Sequence, residues 1–379
     1  QDDEFIIPTY FASMGAIGAC LLAMEDATRR KPWSGWQRLE AYLDKPPDYA
    51  TGEASLADVS PVIVSAEAHS RTLAPDEQTT GYLGVDVGSI STNLVVIDDE
   101  KKVLTKRYLM TAGRPIEAIK QGLREIGEEL AGRVTIVGAG TTGSGRYLTG
   151  DFIGADVVRN EITAQATAAA HIDPEVDTIF EIGGQDSKFI SLRNGAVVDF
   201  EMNKVCAAGT GSFLEEQAEK LDISIKEEFG QLALRAPAGV PLGERCTVFM
   251  ESDLVHHQQR GAEKDQLVAG LSYSIVHNYL NKVVEKKHIG DHIFFQGGTA
   301  FNQGVVAAFE KVVGKTITVP PHNEVTGAIG AAILAMQEKA PGTSAFKGFD
   351  LSNRDYGLST FECSGCANHC EIHRLEVKG

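Results

Sequence analysis

The sequence predicts an α/β protein of two similar halves facing each other across a cleft. Three observations carry that prediction. Strands and helices alternate from Tyr82 onward. A strand, a glycine-rich turn with an acid and hydroxyls, and a second strand occur together twice, in GVDVGSISTN at residues 84–93 and in EIGGQDSKFI at 181–190. An apolar strand then runs into a Gly-Gly turn and a helix start in FFQGGTAFNQGVV at 294–306. Hairpins followed by helices, repeated, make two α/β halves, and the cleft between such halves is a usual nucleotide site.

Taken in order, YLGVDVGS and NLVVIDD read as a hairpin and VLTKRYLM as a third strand. IEAIKQGLREIGEEL carries helical periodicity, VTIVGAG is a strand, and a helix follows Asn160. The second round has TIFEIGG, then KFISLRNGAVVDFEMN with its Asn-Gly turn, a helix after Cys206 and a helical stretch over residues 265–287. It closes with strand HIFFQGG, helix GVVAAFEKVV, strand TITVP and the helix after Val325. Residues 30–80, with Trp33, Trp36, Pro46, Pro47, Pro61 and Pro75 but little periodicity, read as an extended connector. GAIGACLLAM at 15–24 echoes GAIGAAILAM at 327–336, each with a proline seven positions upstream. Residues 1–29 are therefore expected to be the tail helix of a preceding homologous module. The remaining boundaries are a first half over 81–176 plus 325–340, a second half over 177–324 and a Cys-rich segment over 341–379.

Composition narrows the function. Net charge is −17, from 35 basic and 52 acidic residues, which argues against a nucleic-acid surface. Phosphate must be held locally by backbone N–H groups and a few cations. No apolar run is long enough to cross a bilayer, and QDDEFIIPTYF lacks the basic start and apolar core of a signal peptide. A cytoplasmic protein without membrane partners is expected. Six cysteines are too few for a disulfide scaffold in 379 residues. Cys20, in an apolar helix, reads as a buried small hydrophobe. His256 and His257 read as surface or interface residues.

The glycine-rich turns specify the site. The backbone of Gly88, Ser89, Ser91, Thr92 and Asn93 can approach phosphate oxygens, and Asp86 can orient a Mg²⁺-bound water. Gly183, Gly184, Gln185, Asp186, Ser187 and Lys188 repeat the arrangement. Gly297, Gly298 and Asn302 suit a purine and its ribose. GAGTTGSGR at 138–146 adds Gly143 and Arg146. Cys206 and Cys246 each precede a helix-like stretch, in MNKVCAAGTGSFLEEQAEKL and GERCTVFMESDLVHHQQ, where unpaired N–H groups favour negative charge. A [4Fe–4S] cluster needs four thiolates, so a pair in one chain implies a second copy supplying the rest. FECSGCANHCEIHRL places Cys363, Cys366 and Cys370 with His369 and His373, spacing that suits Zn²⁺ or part of an Fe–S site.

Two phosphate hairpins, an adenosine Gly-Gly turn and the small-residue helix TGAIGAAIL come in the order of the acetate and sugar kinase, Hsp70 and actin superfamily, which this chain resembles over residues 82–338. The fold implied is two ribonuclease-H-like (actin/Hsp70-type) halves around a nucleotide cleft. NKVCAAGTGSFLEEQA and GERCTVFMESD further resemble the BadF/BadG/BcrA/BcrD ATPase family, in particular activators of 2-hydroxyacyl-CoA dehydratases. That resemblance implies ATP or ADP with Mg²⁺ in the cleft and a homodimer sharing one [4Fe–4S] cluster through Cys206 and Cys246. It also implies a ferredoxin or flavodoxin as electron donor and an Fe–S dehydratase or reductase as acceptor, with Gly209 and Gly211 counted among the nucleotide-binding residues. Many relatives carry lysine where Asn93 stands, so cation contact with phosphate falls to Lys188. The residue that positions the hydrolytic water stays open among Asp86, Glu161, Gln185 and Asp186. A small-molecule kinase of the same superfamily is the alternative reading.

Overall fold

The computed structural model describes residues 7–25, 35–43, 52–203, 209–244, 246–368 and 370–377. The chain divides into two units, Gln1–Asp48 and Tyr49–Gly379. In the first, α1 (Met14–Glu25) and α2 (Gln37–Leu43) are the described helices. Helix α1 buries none of its residues, and Cys20 is exposed, not buried. A helix of Ala, Gly and Leu needs a second layer to cover it, and the described residues of this unit contain no sheet.

The larger unit starts differently from the expected connector. Strand β1 (Val62–Ile63) pairs in parallel with a strand near residue 318, and Leu56 is fully buried. Backbone bonds also join Glu53 and Gly239 in both directions. Residues 53–64 are thus docked on the second half, because one leucine and a short strand give the segment apolar surface and ladder bonds to share, while Arg71 and Leu73 already join the first half through Val103, Asp98 and its apolar core.

A meander of β2 (Thr79–Val87), β3 (Ser91–Ile97) and β4 (Val103–Met110) comes next. Helix α3 (Pro115–Leu130) starts on Pro115, where a missing N–H costs nothing, and buries Ile116, Ile119, Leu123, Ile126 and Leu130 on one face. Then come β5 (Val134–Thr142), α4 (Arg146–Ile153), β6 (Val157–Val158) and α5 (Glu161–Ile172). Asn160 caps α5 by accepting from the Thr163 amide at 2.9 Å.

The second round repeats the plan with β7 (Thr178–Ile182), β8 (Ser187–Arg193) and β9 (Ala196–Met202). Asn194 and Gly195, both at positive φ, make the tight turn between β8 and β9. Helices α6 (Gly211–Lys220), α7 (Phe229–Arg235), α8 (Thr247–Gln259) and α9 (Lys264–Tyr279) follow, then β10 (Ile293–Gln296), α10 (Gln303–Val313), β11 (Ile317–Val319) and α11 (Thr326–Glu338). The chain ends in a hairpin that the sequence reading did not foresee, β12 (Tyr356–Glu362) with β13 (Glu371–Val377).

The sheets run β4-β3-β2-β5-β6 and β9-β8-β7-β10-β11-β1. In each, an antiparallel meander passes into parallel strands. Helix α11 lies between the first sheet and α5. A Cβ on Gly84 would sit 1.9 Å from the Ala328 carbonyl oxygen, and one on Gly330 1.9 Å from that of Ala164. The small residues of TGAIGAAIL are what this approach requires. The second sheet is covered on one face by α6, α7, α9 and α10 around Phe180, Phe295, Phe309 and Tyr279, and on the other by α5. The observed fold is the expected α/β type with paired halves.

Candidate functional site

The two glycine-rich turns close alike. Gly88 donates its N–H to the Ser91 carbonyl at 2.9 Å, and Gly183 donates to that of Asp186 at 2.9 Å. They also touch, since a Cβ on Gly184 would meet Ile90 at 2.5 Å. Ser89 and Gln185 stand exposed at the two tips, with Ser91 and Asp186 half-buried behind them. Two expected phosphate contacts are otherwise engaged. The Gly88 amide belongs to its own turn, and the buried Thr92 hydroxyl lies 2.9 Å from that of Thr111, which donates to the Gly88 carbonyl. Thr92 braces the turn from beneath.

Strand register builds the acid centre. Asp86 on β2 stands opposite Asn93 on β3 and Thr142 on β5. Its two oxygens are hemmed by backbone: a Cβ on Gly143 would fall 2.5 Å from Oδ1 and one on Gly327 2.1 Å from Oδ2. Loss of solvation, then the negative charge of Glu161, pushes the Asp86 carboxyl up to about 7 against the pull of Lys188. The buried Asn93 Oδ1 and Thr142 Oγ1 beside it have no partner. Buried oxygens of this kind fit the water shell of a hard divalent cation.

Across the cleft, Glu181 on β7 and Lys188 on β8 are register partners joined at 2.7 Å, and Glu161 at the start of α5 lies 3.5 Å from the same ammonium. Lys188 is 4% exposed. Burial alone would lower its pKa, but Glu181 and Glu161 outweigh that and hold it raised. Burial raises the Glu181 carboxyl, with Lys188 opposing. Lys188, expected as a phosphate cation, has its charge matched here by Glu181 in the sheet and Glu161 at the start of α5.

The Gly-Gly turn sits where β10 ends. Gly297 needs its positive φ of 89°, and a Cβ there would lie 2.7 Å from the Ile182 carbonyl oxygen. A Cβ on Gly298 would lie 3.3 Å from the Tyr108 hydroxyl on β4, so the turn faces the other sheet's edge. Asn302 holds its Nδ2 buried and without a partner. Its Oδ1 caps α10 by accepting from Gly304 and Val305, as a residue opening a helix does. Arg146 donates to the Gly143 carbonyl at 2.9 Å, closing the GAGTTGSGR turn on itself. Sequence reading missed Gly327, Gln165 and Asn323. Gln165 accepts from the Thr326 hydroxyl at 2.6 Å, and Asn323 bonds Gly297 through both backbone and side chain. The signal for Gly327 lies in the TGAIG start of α11, which the sequence offers only as a repeat and as part of the superfamily's order.

Cys206 lies outside the described residues, but both flanks of its segment are tied to the second turn. Before it, Asn203 Oδ1 accepts from the Ser187 amide at 2.9 Å and Nδ2 donates to the Gln185 carbonyl at 3.1 Å. After it, the Ser187 hydroxyl donates to the Gly209 carbonyl at 2.7 Å, while Gly211 and Ser212 donate to the carbonyls of Gly183 and Gly184. Gly209 and Gly211 therefore serve this tie, at the helix start. Cys246 is free and half-buried at the N-cap of α8, whose first turn exposes Val248 and Phe249, each to 66%. His257 packs back on the Pro241 carbonyl at 3.0 Å. Cys363, Cys366 and Cys370 are free thiols at the tip of the β12–β13 hairpin, apart from this cleft. Among the described residues no three metal-ligating side chains are gathered.

The comparisons agree with this geometry. The description BadF/BadG/BcrA/BcrD ATPase family fits residues 83–335. The chain is 34% identical over 272 residues to an uncharacterized protein of Methanocaldococcus jannaschii, covering 69% of this chain and 64% of that one. It is 31% identical over 264 residues to the (R)-2-hydroxyglutaryl-CoA dehydratase activating ATPase of Acidaminococcus fermentans, 68% of this chain and 98% of that one. The crystal structure of that dehydratase's component A superposes with a TM-score of 0.62 at 29% identity, over 69% of this chain and 99% of the other. An activator of 2-hydroxyisocaproyl-CoA dehydratase from Clostridium difficile, with bound ADPNP, superposes at 0.60 and 29% identity, over 68% and 95%. The family match over residues 83–335, with the identity and the fold shared with these activators, places the chain in the BadF/BadG/BcrA/BcrD ATPase family.

Proposed function

We propose that this protein is an ATP-dependent electron-transfer activator. Two copies share one [4Fe–4S] cluster held by Cys206 and Cys246 of each, and nucleotide binding in the clefts drives an electron onto a 2-hydroxyacyl-CoA dehydratase or related Fe–S reductase. The observation that carries the reading is the direct bonding of the second glycine-rich turn to both flanks of the Cys206 segment. Cys246 fits a cluster ligand: it is free, it opens a helix, and the apolar residues after it stand uncovered where a second copy would lie. Asp86 and Asn93 suit a Mg²⁺ water shell, and cation binding would strip the proton that Asp86 otherwise keeps near neutrality. The cation supplies charge neutralisation for the phosphates. The Gly183–Ser187 turn contacts those phosphates and passes any displacement to the starts of α6 and the Cys206 segment. Asp86 or the exposed Gln185 orients the hydrolytic water. A cytoplasmic setting with a ferredoxin or flavodoxin as electron donor completes this reading.

In this reading the three thiols of the terminal hairpin, which are not gathered among the described residues, draw together on Zn²⁺ or an Fe–S centre as a separate metal site. Cys363 donates its amide to the Cys370 carbonyl at 2.7 Å, and the Gly365 amide points to Cys363 Sγ at 3.4 Å, a polarised contact that suits a thiolate ligand.

Anaerobic purification tests the central proposal. It predicts a brown homodimer that carries one cluster's iron and sulfide per two chains and bleaches with dithionite. Cys246→Ser loses both iron and dimer. A variant that keeps its full iron content sinks the ligand assignment.

A further inference from the structure

Helix α9 carries a polar stripe where its neighbours are core. Ser274 and Asn278 lie four residues apart on one face of α9, and Asn281 follows in the π-helical turn Leu280–Val284 that continues it. All three bond the segment that leads into Cys246. The Ser274 hydroxyl donates to the Gly243 carbonyl at 2.6 Å, Asn278 Nδ2 donates to the Glu244 carbonyl at 2.6 Å, and Asn281 Nδ2 donates to the Glu244 carboxylate at 3.0 Å. Asn278 is the buried centre of the stripe, 1% exposed. Its other end faces Gly209, three residues after Cys206 in the sequence: a Cβ on Gly209 would lie 2.8 Å from Asn278 Oδ1. Gly209, at a φ of +87°, is the first described residue after the Cys206 segment and takes the Ser187 hydroxyl bond on its carbonyl. One residue further along α9, the Tyr279 hydroxyl donates to the Lys188 carbonyl at 2.7 Å, anchoring the helix to β8.

We infer that Asn278 is a positioning residue: one amide, fixed on a helix anchored to the nucleotide-facing sheet, spaces the Cys206 and Cys246 segments of a single chain. This inference rests on the proposed cluster-bearing function and adds a residue to it. An apolar residue would fill the same volume but leave the Glu244 carbonyl without its donor, so the side chain does more than pack. A movement of the Gly183–Ser187 turn reaches Gly209 through Ser187, and Asn278 refers it to Glu244, two residues before Cys246.

The test compares Asn278→Ala and Asn278→Asp with the unaltered full chain, the second keeping the side-chain shape while removing the N–H donor. Outer partners of metal ligands are worth about 10- to 100-fold in metal retention. Both variants are expected to lose iron to a ferrous chelator faster by that factor, while the stabilisation by Mg²⁺-ADP in a melting assay stays unchanged. On the metal-free chain, alkylation of Cys246, read by mass spectrometry against Cys363, Cys366 and Cys370 in the same molecule, is expected to speed up severalfold. Asn281→Ala, at the exposed end of the stripe, gives a smaller effect of the same sign and serves as the measurement if the Asn278 variants do not fold. Unchanged Cys246 alkylation in the variants overturns the inference whether or not a cluster is present. If the unaltered protein holds no iron but the variants speed alkylation, the positioning role stands and the cluster reading fails.

Discussion

Asp86 and Lys188 are buried titratable groups of one cleft, and each has a consequence that can be measured. The Asp86 carboxyl titrates near 7 in the folded chain against 3.8 when unfolded. Between those values the folded state keeps a proton that the unfolded state has lost, so stability falls as pH rises from 4 to 7. Asp86→Asn is therefore expected to raise the melting temperature of the nucleotide-free protein above pH 7 and leave it unchanged near pH 4. The same substitution lowers ATP hydrolysis, by about 100-fold or more if Asp86 acts on the Mg²⁺-bound water. Lys188 is the reverse case. Removing its ammonium strands Glu181 and Glu161, and Lys188→Met is expected to cost about 3 to 5 kcal/mol in urea unfolding. A cost below ~1 kcal/mol would mean the pair is solvated and free to serve phosphate.

At the scale of elements, α11 shows what was legible and what was not. Its small residues were visible in the sequence, and close packing explains them: Gly84 and Gly330 meet backbone oxygens at distances no Cβ tolerates. Gly330→Ala, at ordinary helical φ, is expected to destabilise by about 1 to 3 kcal/mol through overpacking alone, read as a lower urea midpoint at constant m. Strands, turns and helix starts follow the sequence closely because their signals are local: Asn160 as a cap, Asn194-Gly195 as a hairpin turn, short apolar runs in β2 and β7. What escaped was non-local. Leu56 and β1 join a sheet whose other strands lie more than a hundred residues on, and a two-residue strand has no periodicity to read. Asn302 reads as a ligand contact because a polar residue after Gly-Gly suits that role, and only the fold shows that its Oδ1 also caps α10. Lys188 looked free because its partners, Glu181 and Glu161, are brought to it by pairing and by α5.

For the whole molecule, the account joins two halves that share a construction but not a job. The first contributes Asp86, Gly143 and Gly327; the second contributes a glycine-rich turn whose bonds run into both cysteine segments. A nucleotide bridging the halves is expected to stabilise the native chain by RT ln(1 + [L]/Kd), about 2.7 kcal/mol at a hundredfold excess over Kd. Mg²⁺-ADP and a non-hydrolysable ATP analogue should both raise the melting temperature, and Asp86→Asn should reduce the Mg²⁺-dependent part. The claim on which the rest depends is that nucleotide state is felt at Cys246. Its most direct test is the alkylation rate of Cys246 in the metal-free, unaltered chain with Mg²⁺-ADP and with the analogue. The account predicts different rates in the two states while Cys366 at the hairpin tip reacts equally. Identical Cys246 rates with both nucleotides bound would contradict it.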